Sequence, residues 1–119
     1  MKESKYLLSF WRYLMNESAY QRKLIMKLNK LFPGCMILKN DPSYMQGVPD
    51  IIILFNDRWA MLEIKISPDA SSQANQQHYI ERLDRMSYAA FINPENEEDV
   101  FYDLQLTFGT LGSSRISQS

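Results

Sequence analysis

The spacing of hydrophobic residues predicts helices near both ends of the chain. Residues 4 to 15 carry apolar side chains at helical spacing, and a second apolar face runs from Leu24 to Phe32. Ser18 and Gln21 resemble a capping box that would start this second helix, and the Pro33-Gly34 pair would end it. The pattern therefore predicts two successive helices in the first part of the chain.

Short apolar runs separated by turn residues predict strands in the middle of the chain. The runs cover residues 35 to 39, 51 to 55, 60 to 66 and 87 to 92. The second and third runs are apolar at nearly every position, which is typical of central strands covered on both faces. Between them, Asn56-Asp57 predicts a tight hairpin turn of two residues.

Two further helices are predicted after the hairpin. Residues 72 to 86 have one core-facing side at helical spacing, and a polar residue lies on it. The members of that side are Gln76, Tyr79, Ile80, Leu83 and Met86. Pro94 predicts the start of the last helix, which has an acidic first turn and ends near Phe108. The order α-β-β-β-α-β-α predicts an α/β fold with a mixed central sheet flanked by helices.

Composition limits the class of protein more than its function. The 119 residues suit one domain, and 45% hydrophobic with 23% charged residues are ordinary values for a soluble globular protein. A net charge of −1 neither requires nor excludes a nucleic-acid partner. Cys35 is the only cysteine, so an internal disulfide is excluded and a reducing, cytoplasmic location is expected. No apolar run reaches the roughly 18 residues of a membrane span, and a secretory signal pattern is missing, so no membrane partner is expected.

The hairpin would bring two carboxylates together. If Asn56-Asp57 form the turn, the numbers of paired residues add up to 113, which puts Asp50 directly opposite Glu63. Lys65 follows two residues after Glu63 and therefore lies on the same face. A three-residue turn without a bulge would break this register. Because two buried like charges repel, the arrangement predicts a site for a hard divalent cation such as Mg²⁺ or Mn²⁺, suited to phosphodiester hydrolysis.

The charged residues also carry a family resemblance. Pro49-Asp50, then twelve residues, then Glu63-Ile64-Lys65 resembles the signature of the PD-(D/E)xK nuclease superfamily. The flanking sequence is similar to small single-domain nucleases of the VRR-NUC kind and to phage Holliday-junction-resolvase-like nucleases. The resemblance covers residues 17 to 108 and implies a restriction-endonuclease-like core. Residues 1 to 16 are then interpreted as an N-terminal helical segment for docking or dimer contact, and residues 109 to 119 as a flexible tail.

The resemblance implies a role for each residue of the motif. Asp50 and Glu63 would bind the metal, together with the backbone carbonyl of Ile64. Lys65 would position or activate the attacking water. Gln76 would support the site from the following helix, with Gln73 and Gln77 as alternatives on that helix.

The first predicted helix supplies further candidates. Related nucleases often add an acidic residue from that helix, and Glu17 is the nearby candidate for a metal ligand. Lys23, Lys27 and Lys30 form a stripe on the same helix, which is either a DNA-contacting face or simply its solvated side. Lys39, at the end of the first strand, is either a phosphate contact or an ordinary strand-end lysine.

The resemblance predicts a Mg²⁺-dependent endodeoxyribonuclease, in which Mn²⁺ would substitute for Mg²⁺. It further implies a homodimer that acts on branched or junction DNA. The competing interpretation is a non-catalytic module of the same fold that binds nucleic acid or protein. Such a module is expected to have lost one of the charged residues, and Asp50, Glu63 and Lys65 are all present.

Overall fold

The computed structural model describes the backbone of residues 2–66 and 74–111, and the side chains from residue 16 onward within those ranges. It confirms the predicted α/β class and the order α-β-β-β-α-β-α. The elements are α1 (Lys2–Leu31), β1 (Met36–Lys39), β2 (Ile51–Phe55), β3 (Arg58–Ile64), α2 (Ala74–Met86), β4 (Tyr88–Ile92) and α3 (Glu97–Phe108). Within the described ranges, none of these helices is long and apolar enough to cross a membrane.

The chain divides into two compact units after Pro33. The first unit consists of α1, a single helix that runs through Ser18, so the predicted start of a second helix at Ser18 is wrong. Residues 2 to 31 contain neither glycine nor proline, and a capping-box pattern alone does not interrupt a helix. Leu24 and Leu28 of α1 are completely buried. The division into residues 1–16, 17–108 and 109–119 stays a prediction, and residues 112–119 lie outside the described ranges.

The second unit contains a four-stranded mixed sheet in the order β1-β2-β3-β4. β1, β2 and β3 are successively antiparallel, whereas β4 lies parallel to β3 after the crossover through α2. The predicted hairpin register is confirmed, because Ile51 pairs with Leu62 and Phe55 with Arg58. Asn56 in the turn has φ 56°, a left-handed conformation that asparagine tolerates better than most residues. The register fixes which side chains share a face of the sheet.

One face of the sheet packs against α3. The Tyr88 hydroxyl donates to Asp103 at 2.9 Å, and the rings of Phe55 and Phe108 lie 5.5 Å apart. Pairing across the strands puts several completely buried residues on this face, namely Ile51, Ile53, Ala60, Leu62 and Ile92. Burying each large aliphatic side chain stabilises the fold by about 1.5–3 kcal/mol, so this face is the principal core of the second unit.

The other face carries Asp50 and Glu63 and is covered only in part. α2 packs on β3 and β4, and Ile80 is its buried residue. Towards the edge of the sheet, side chains on the same face stay exposed: Met36 by 60%, Leu38 by 45% and Leu54 by 37%. The expectation that both faces of the central strands are covered is therefore wrong for this part of β2, because α2 packs on β3 and β4.

Two helix ends differ from the sequence prediction. α3 begins at Glu97 rather than at Pro94, because the Asn93 side chain accepts the N–H groups of Glu95 and Asn96 and holds residues 94–96 in a turn. Met86, predicted on the core side of α2, is 61% exposed at the end of that helix. The predicted helix positions 72 and 73, including Gln73, lie outside the described residues.

Candidate active site

The two predicted metal-binding carboxylates come together at the open end of the hairpin. The register of β2 and β3, continued by one residue beyond Ile51, puts Asp50 opposite Glu63. The N–H of Ile64 points towards β2 and the N–H of Lys65 towards β4, where it donates to the Ile92 carbonyl at 2.9 Å. Glu63 therefore belongs to a pair without mutual backbone hydrogen bonds, in which Cα atoms lie about 4.5 Å apart and side chains approach closely.

The side chain of Asp50 provides the acceptor for a backbone N–H of β3 at the end of the hairpin. Its Oδ2 accepts a hydrogen bond from the N–H of Ile64 at 2.8 Å. The residue opposite Ile64 is Pro49, which has no N–H and cannot donate to the Ile64 carbonyl. Because the N–H and C=O of one strand residue point the same way, that carbonyl is directed to the same side as the Asp50 carboxylate. The proline thus explains how a main-chain oxygen at this position can serve as a ligand.

Gln76 joins the two charged residues of β3. Its Nε2 donates to Oε2 of Glu63 at 3.0 Å, and its Oε1 accepts from Nζ of Lys65 at 2.9 Å. The direct distance from Lys65 Nζ to Glu63 Oε2 is 4.0 Å. Of the neighbouring candidates, Gln77 is exposed and Gln73 lies outside the described residues. The structure therefore brings Glu63, Lys65 and Gln76 together as one hydrogen-bonded group.

The site is electrostatically costly for the fold. Glu63 is 5% exposed although it ends a strand of core residues. Burial raises the pKa of the Asp50 carboxyl above its ordinary value, while the Ile64 N–H and the charge of Lys65 act in the opposite direction. Desolvation is the largest of these effects, so ionised Asp50 is less favourable here than in water. Ionisable groups that are buried at a cost in stability are frequent in active sites.

The donor atoms suit a hard cation. Two carboxylates and a main-chain oxygen are the ligand types that Mg²⁺ and Mn²⁺ prefer, and Mg²⁺ usually retains several waters beside one or two carboxylates. In the part of the chain that the structure describes, no cluster of three or more His, Cys, Asp and Glu residues forms a metal site. A cation here would thus depend on Asp50, Glu63 and the Ile64 carbonyl. Glu17 is exposed on α1, and its contribution stays a prediction.

The four predicted DNA-contacting lysines are divided between the two units. Lys39 pairs with Ile51, so its side chain projects from the face opposite to Asp50. It is exposed at the end of β1. Lys23, Lys27 and Lys30 are exposed on α1, in the first unit. Contact of these four lysines with DNA remains a prediction.

Asn40 is a supporting residue that the sequence analysis missed. Its backbone N–H donates to the Asp50 carbonyl at 2.9 Å, and its side-chain Nδ2 donates to the Pro49 carbonyl at 2.5 Å. Asn40 therefore holds both residues of the Pro-Asp pair. The feature that could have identified Asn40 is the pairing of β1 with β2, which puts residue 40 opposite residue 50. A short sequence motif does not specify that pairing.

Asn75 and Gly47 hold the loop before Asp50 against the start of α2. Asn75 Nδ2 donates to the Gln46 carbonyl at 3.3 Å. Gly47 has φ +92°, and a Cβ added to it would lie 2.7 Å from Cγ of Asn75. Because Asn75 directly precedes Gln76, the same contact connects the loop to the residue that bridges Glu63 and Lys65.

Substitution of Gly47 by alanine is expected to destabilise the protein more than the same substitution at Gly34. Both glycines have positive φ, and alanine in that conformation costs about 1 kcal/mol or more. Only Gly47 would also displace a neighbour, since nothing lies within 4 Å of a Cβ built at Gly34. Breaking the Asn75 contact adds about 1 kcal/mol. Urea unfolding of Gly47→Ala and Gly34→Ala measures the difference, and equal losses would show that the Asn75 contact is unimportant.

Comparisons with known proteins give two structural neighbours. No protein-family model matches the chain, and no curated protein matches it significantly. A solved VRR_NUC domain protein is similar with 20% identity and a TM-score of 0.46, over 62% of this chain and 68% of that one. Hjc, a Holliday junction resolvase from Archaeoglobus fulgidus, has 18% identity and a TM-score of 0.45, over 64% and 67% of the two chains. The chemistry of this chain depends on its own residues.

Proposed function

We propose that this protein is a divalent-metal-dependent nuclease that hydrolyses phosphodiester bonds in DNA. The observation that supports the proposal most strongly is the hydrogen-bonded group in which half-buried Gln76 joins buried Glu63 to half-buried Lys65, with Asp50 opposite Glu63. An exposed Glu-Lys pair on a strand would have an ordinary structural explanation. A buried carboxylate held by a glutamine beside a second desolvated carboxyl is instead typical of a catalytic site.

Asp50, Glu63 and the Ile64 carbonyl are the groups that would hold the cation, with Mg²⁺ as the expected ion and Mn²⁺ as a substitute. When bound, such an ion neutralises charge on the phosphate and favours ionisation of a bound water. The protein's own contribution is to fix the donors. The Ile64 N–H orients the Asp50 carboxylate at 2.8 Å, and Gln76 orients that of Glu63 at 3.0 Å.

Lys65 is assigned the role of positioning the attacking water. Its ammonium group is held by Gln76 at 2.9 Å rather than in direct contact with Glu63, from which it is 4.0 Å away. Of the three ammonium protons, the bond to Gln76 uses one, so donors remain for a water or a phosphate oxygen. The side chain is 19% exposed, which leaves the ammonium reachable from solvent.

The proposed substrate is branched or junction DNA, and the proposed assembly is a homodimer, as the sequence resemblance implies. A two-fold dimer would offer one site to each of two strands. The exposed apolar side chains of Met36, Leu38 and Leu54 form a surface that a second copy could cover, because they share one face at the edge of the sheet. The molar mass in solution tests this assembly, and a monomer at micromolar concentration would contradict it.

A cleavage assay tests the proposed activity. Labelled duplex, single-stranded, flap and four-way-junction DNA are incubated with the protein in Mg²⁺, Mn²⁺ or EDTA. We expect cutting with either metal, no cutting in EDTA, and faster cutting of the branched substrates. Glu63→Gln should lower the rate by about 10²-fold or more, because it removes a ligand charge worth several kcal/mol in the transition state.

The matched control is Glu81→Gln, since Glu81 is an exposed glutamate on α2. It should leave cutting unchanged. If the folded wild-type protein binds these DNAs and cuts none of them, the alternative of a non-catalytic binding module replaces the proposal. Cutting that persists in Glu63→Gln would show that the activity belongs to another site or to a contaminant.

Gln76→Ala is expected to lower the cleavage rate by about 10- to 100-fold, because residues that hold metal ligands typically have effects of this size. The variant removes both bonds that connect Lys65 and Glu63. Gln77→Ala is the control, since Gln77 is the exposed neighbour on the same helix. Single-turnover rates on one substrate measure both variants, and equal effects would remove Gln76 from the site.

A further inference from the structure

One large aromatic side chain stands out on the loop that leads to Asp50. Residues 40 to 49 connect β1 to Asp50 and β2, and Tyr44 in this loop is 86% exposed. Its neighbour Met45 is 43% exposed. A tyrosine this exposed contributes little to folding, so its ring is available for contact with a partner molecule.

The turn that carries Tyr44 is fixed by its own hydrogen bonds. Asp41 Oδ1 accepts the backbone N–H of Ser43 at 2.9 Å and its hydroxyl at 2.7 Å. The N–H of Tyr44 donates to the Asp41 carbonyl at 3.2 Å. These bonds define a turn, so Tyr44 projects from an ordered support.

The loop is tied to the active site at both ends. Asn40 donates to the Asp50 carbonyl, and the Gln46 carbonyl accepts from Asn75, the residue before Gln76. The turn from Asp41 to Tyr44 spans less than about 7 Å between its end Cα atoms, Asp41 follows Asn40, and Asn40 pairs with Asp50. The Cα of Tyr44 therefore lies within about 16 Å of the Cα of Asp50. A DNA strand cut at this site would pass the tyrosine within a few nucleotides of the cut.

The chemistry of the loop favours a base over a phosphate. Residues 40 to 49 contain no lysine or arginine, and their single charged residue before Asp50 is Asp41. The loop therefore offers no cation to the DNA backbone. It offers an aromatic ring with an adjacent thioether, and aromatic rings bind nucleobases by stacking whatever the sequence. Only a base that is not already stacked on both sides within a duplex can use such a ring.

We infer that Tyr44 stacks on an unpaired nucleobase within a few nucleotides of the cleaved phosphodiester, and that this contact makes the enzyme prefer DNA with unpaired bases to continuous duplex. The inference rests on the proposed nuclease function and specifies its substrate class. The preference would arise at the loop, independently of the metal ligands.

The test measures base stacking and affinity separately from cleavage. A flap DNA with 2-aminopurine at successive unpaired positions is titrated with Glu63→Gln protein, which should leave the DNA intact. Stacking on Tyr44 is expected to change the fluorescence at one or two of these positions. Adding Tyr44→Ala should abolish that change and weaken binding of the flap by roughly 5- to 100-fold, with less than twofold effect on continuous duplex.

Two further variants separate stacking from other effects. Tyr44→Phe keeps the ring and should restore both the fluorescence change and the affinity, whereas Tyr44→Leu keeps only the apolar bulk and should restore neither. Tyr102→Ala removes another exposed tyrosine, on α3, and is expected to have no effect. Because Tyr44 is 86% exposed, the variants at this position are expected to fold as the wild type does, and circular dichroism checks this.

The outcomes are distinct. Flap affinity and fluorescence that do not depend on Tyr44 overturn the stacking inference and leave the nuclease proposal intact. Stacking that depends on Tyr44, together with a wild-type protein that cuts no DNA, upholds the contact and overturns the nuclease. If Tyr44→Ala instead changes the molar mass of the protein in solution without affecting flap binding, the residue belongs to a protein interface and the inference is wrong.

Discussion

Asp50→Asn is expected to make the protein more stable at neutral pH and to lower its rate of DNA cleavage by about 10²-fold or more. The asparagine oxygen can still accept the N–H of Ile64, so the hydrogen bond at 2.8 Å has a substitute. What disappears is a charge that burial disfavours and that lies opposite Glu63. The loss of activity follows because a neutral amide is a weak ligand for a hard cation.

The sign of the stability effect follows from the direction of the pKa shift. Burial raises the pKa of Asp50 in the folded state above its value in the unfolded chain. The folded state therefore binds the proton more tightly, and the stabilisation by protonation is lost as pH rises through the folded pKa. Ionised Asp50 lowers the free energy of unfolding, because its charge is buried. The advantage of Asp50→Asn should shrink as pH falls through the raised pKa towards the ordinary value of an aspartate.

Thermal and urea unfolding in EDTA measure the stability of Asp50→Asn against wild type between pH 4 and pH 8, a range chosen around and above the ordinary aspartate value of about 3.9. Asp57→Asn is the control, because Asp57 is an aspartate with a 93% exposed side chain in the hairpin turn. If Asp50→Asn is clearly less stable than wild type at neutral pH, the Asp50 carboxylate stabilises the fold and the prediction is wrong.

Lys65→Met is expected to lower the cleavage rate by about 10²- to 10⁴-fold, the range typical of a group that acts on the proton of the attacking water. Methionine retains an unbranched side chain of similar reach and removes only the ammonium group. Because Asp50 and Glu63 remain, binding of Mn²⁺ should change much less than cleavage. Single-turnover cleavage and metal titration on the same preparation measure the two effects.

The control for Lys65→Met is Arg82→Met, which removes an exposed cation from α2. It should leave both cleavage and metal binding unchanged. If Lys65→Met loses metal binding and cleavage in equal measure, Lys65 supports the ligand geometry and has no separate part in the reaction. If it loses neither, the lysine is structural and the assignment fails.

The hairpin and its charged end could be predicted because local chemistry specifies them. Asn56-Asp57 sets a two-residue turn, and the turn fixes the register that puts Asp50 opposite Glu63. The side-chain period of two then puts Lys65 on the face of Glu63. Gln76 followed from helical spacing, since one face of α2 has to meet the sheet.

Features that depend on packing between distant segments could not be predicted. Whether a helix begins at Ser18 or continues through it depends on competition between the N-cap and the continued helix. The apolar sequence of β2 likewise does not indicate that α2 leaves Leu54 exposed. The supports of the site are Asn40 in the loop after β1 and Asn75 in the first turn of α2, and the side chain of each donates to a carbonyl of a distant segment. In a sequence alone, an asparagine at such a position indicates only a turn or a helix end.

The most direct test of the central claim is titration of Mn²⁺ into the protein without DNA, followed by electron paramagnetic resonance. The claim is that the carboxylates of Asp50 and Glu63 form one cation site at the end of the hairpin. Wild type should bind one Mn²⁺ per chain, Asp50→Asn and Glu63→Gln should each weaken binding by at least about tenfold, and the double variant should bind little less than either single one. Wild-type affinity in both single variants would contradict the site and the function proposed from it.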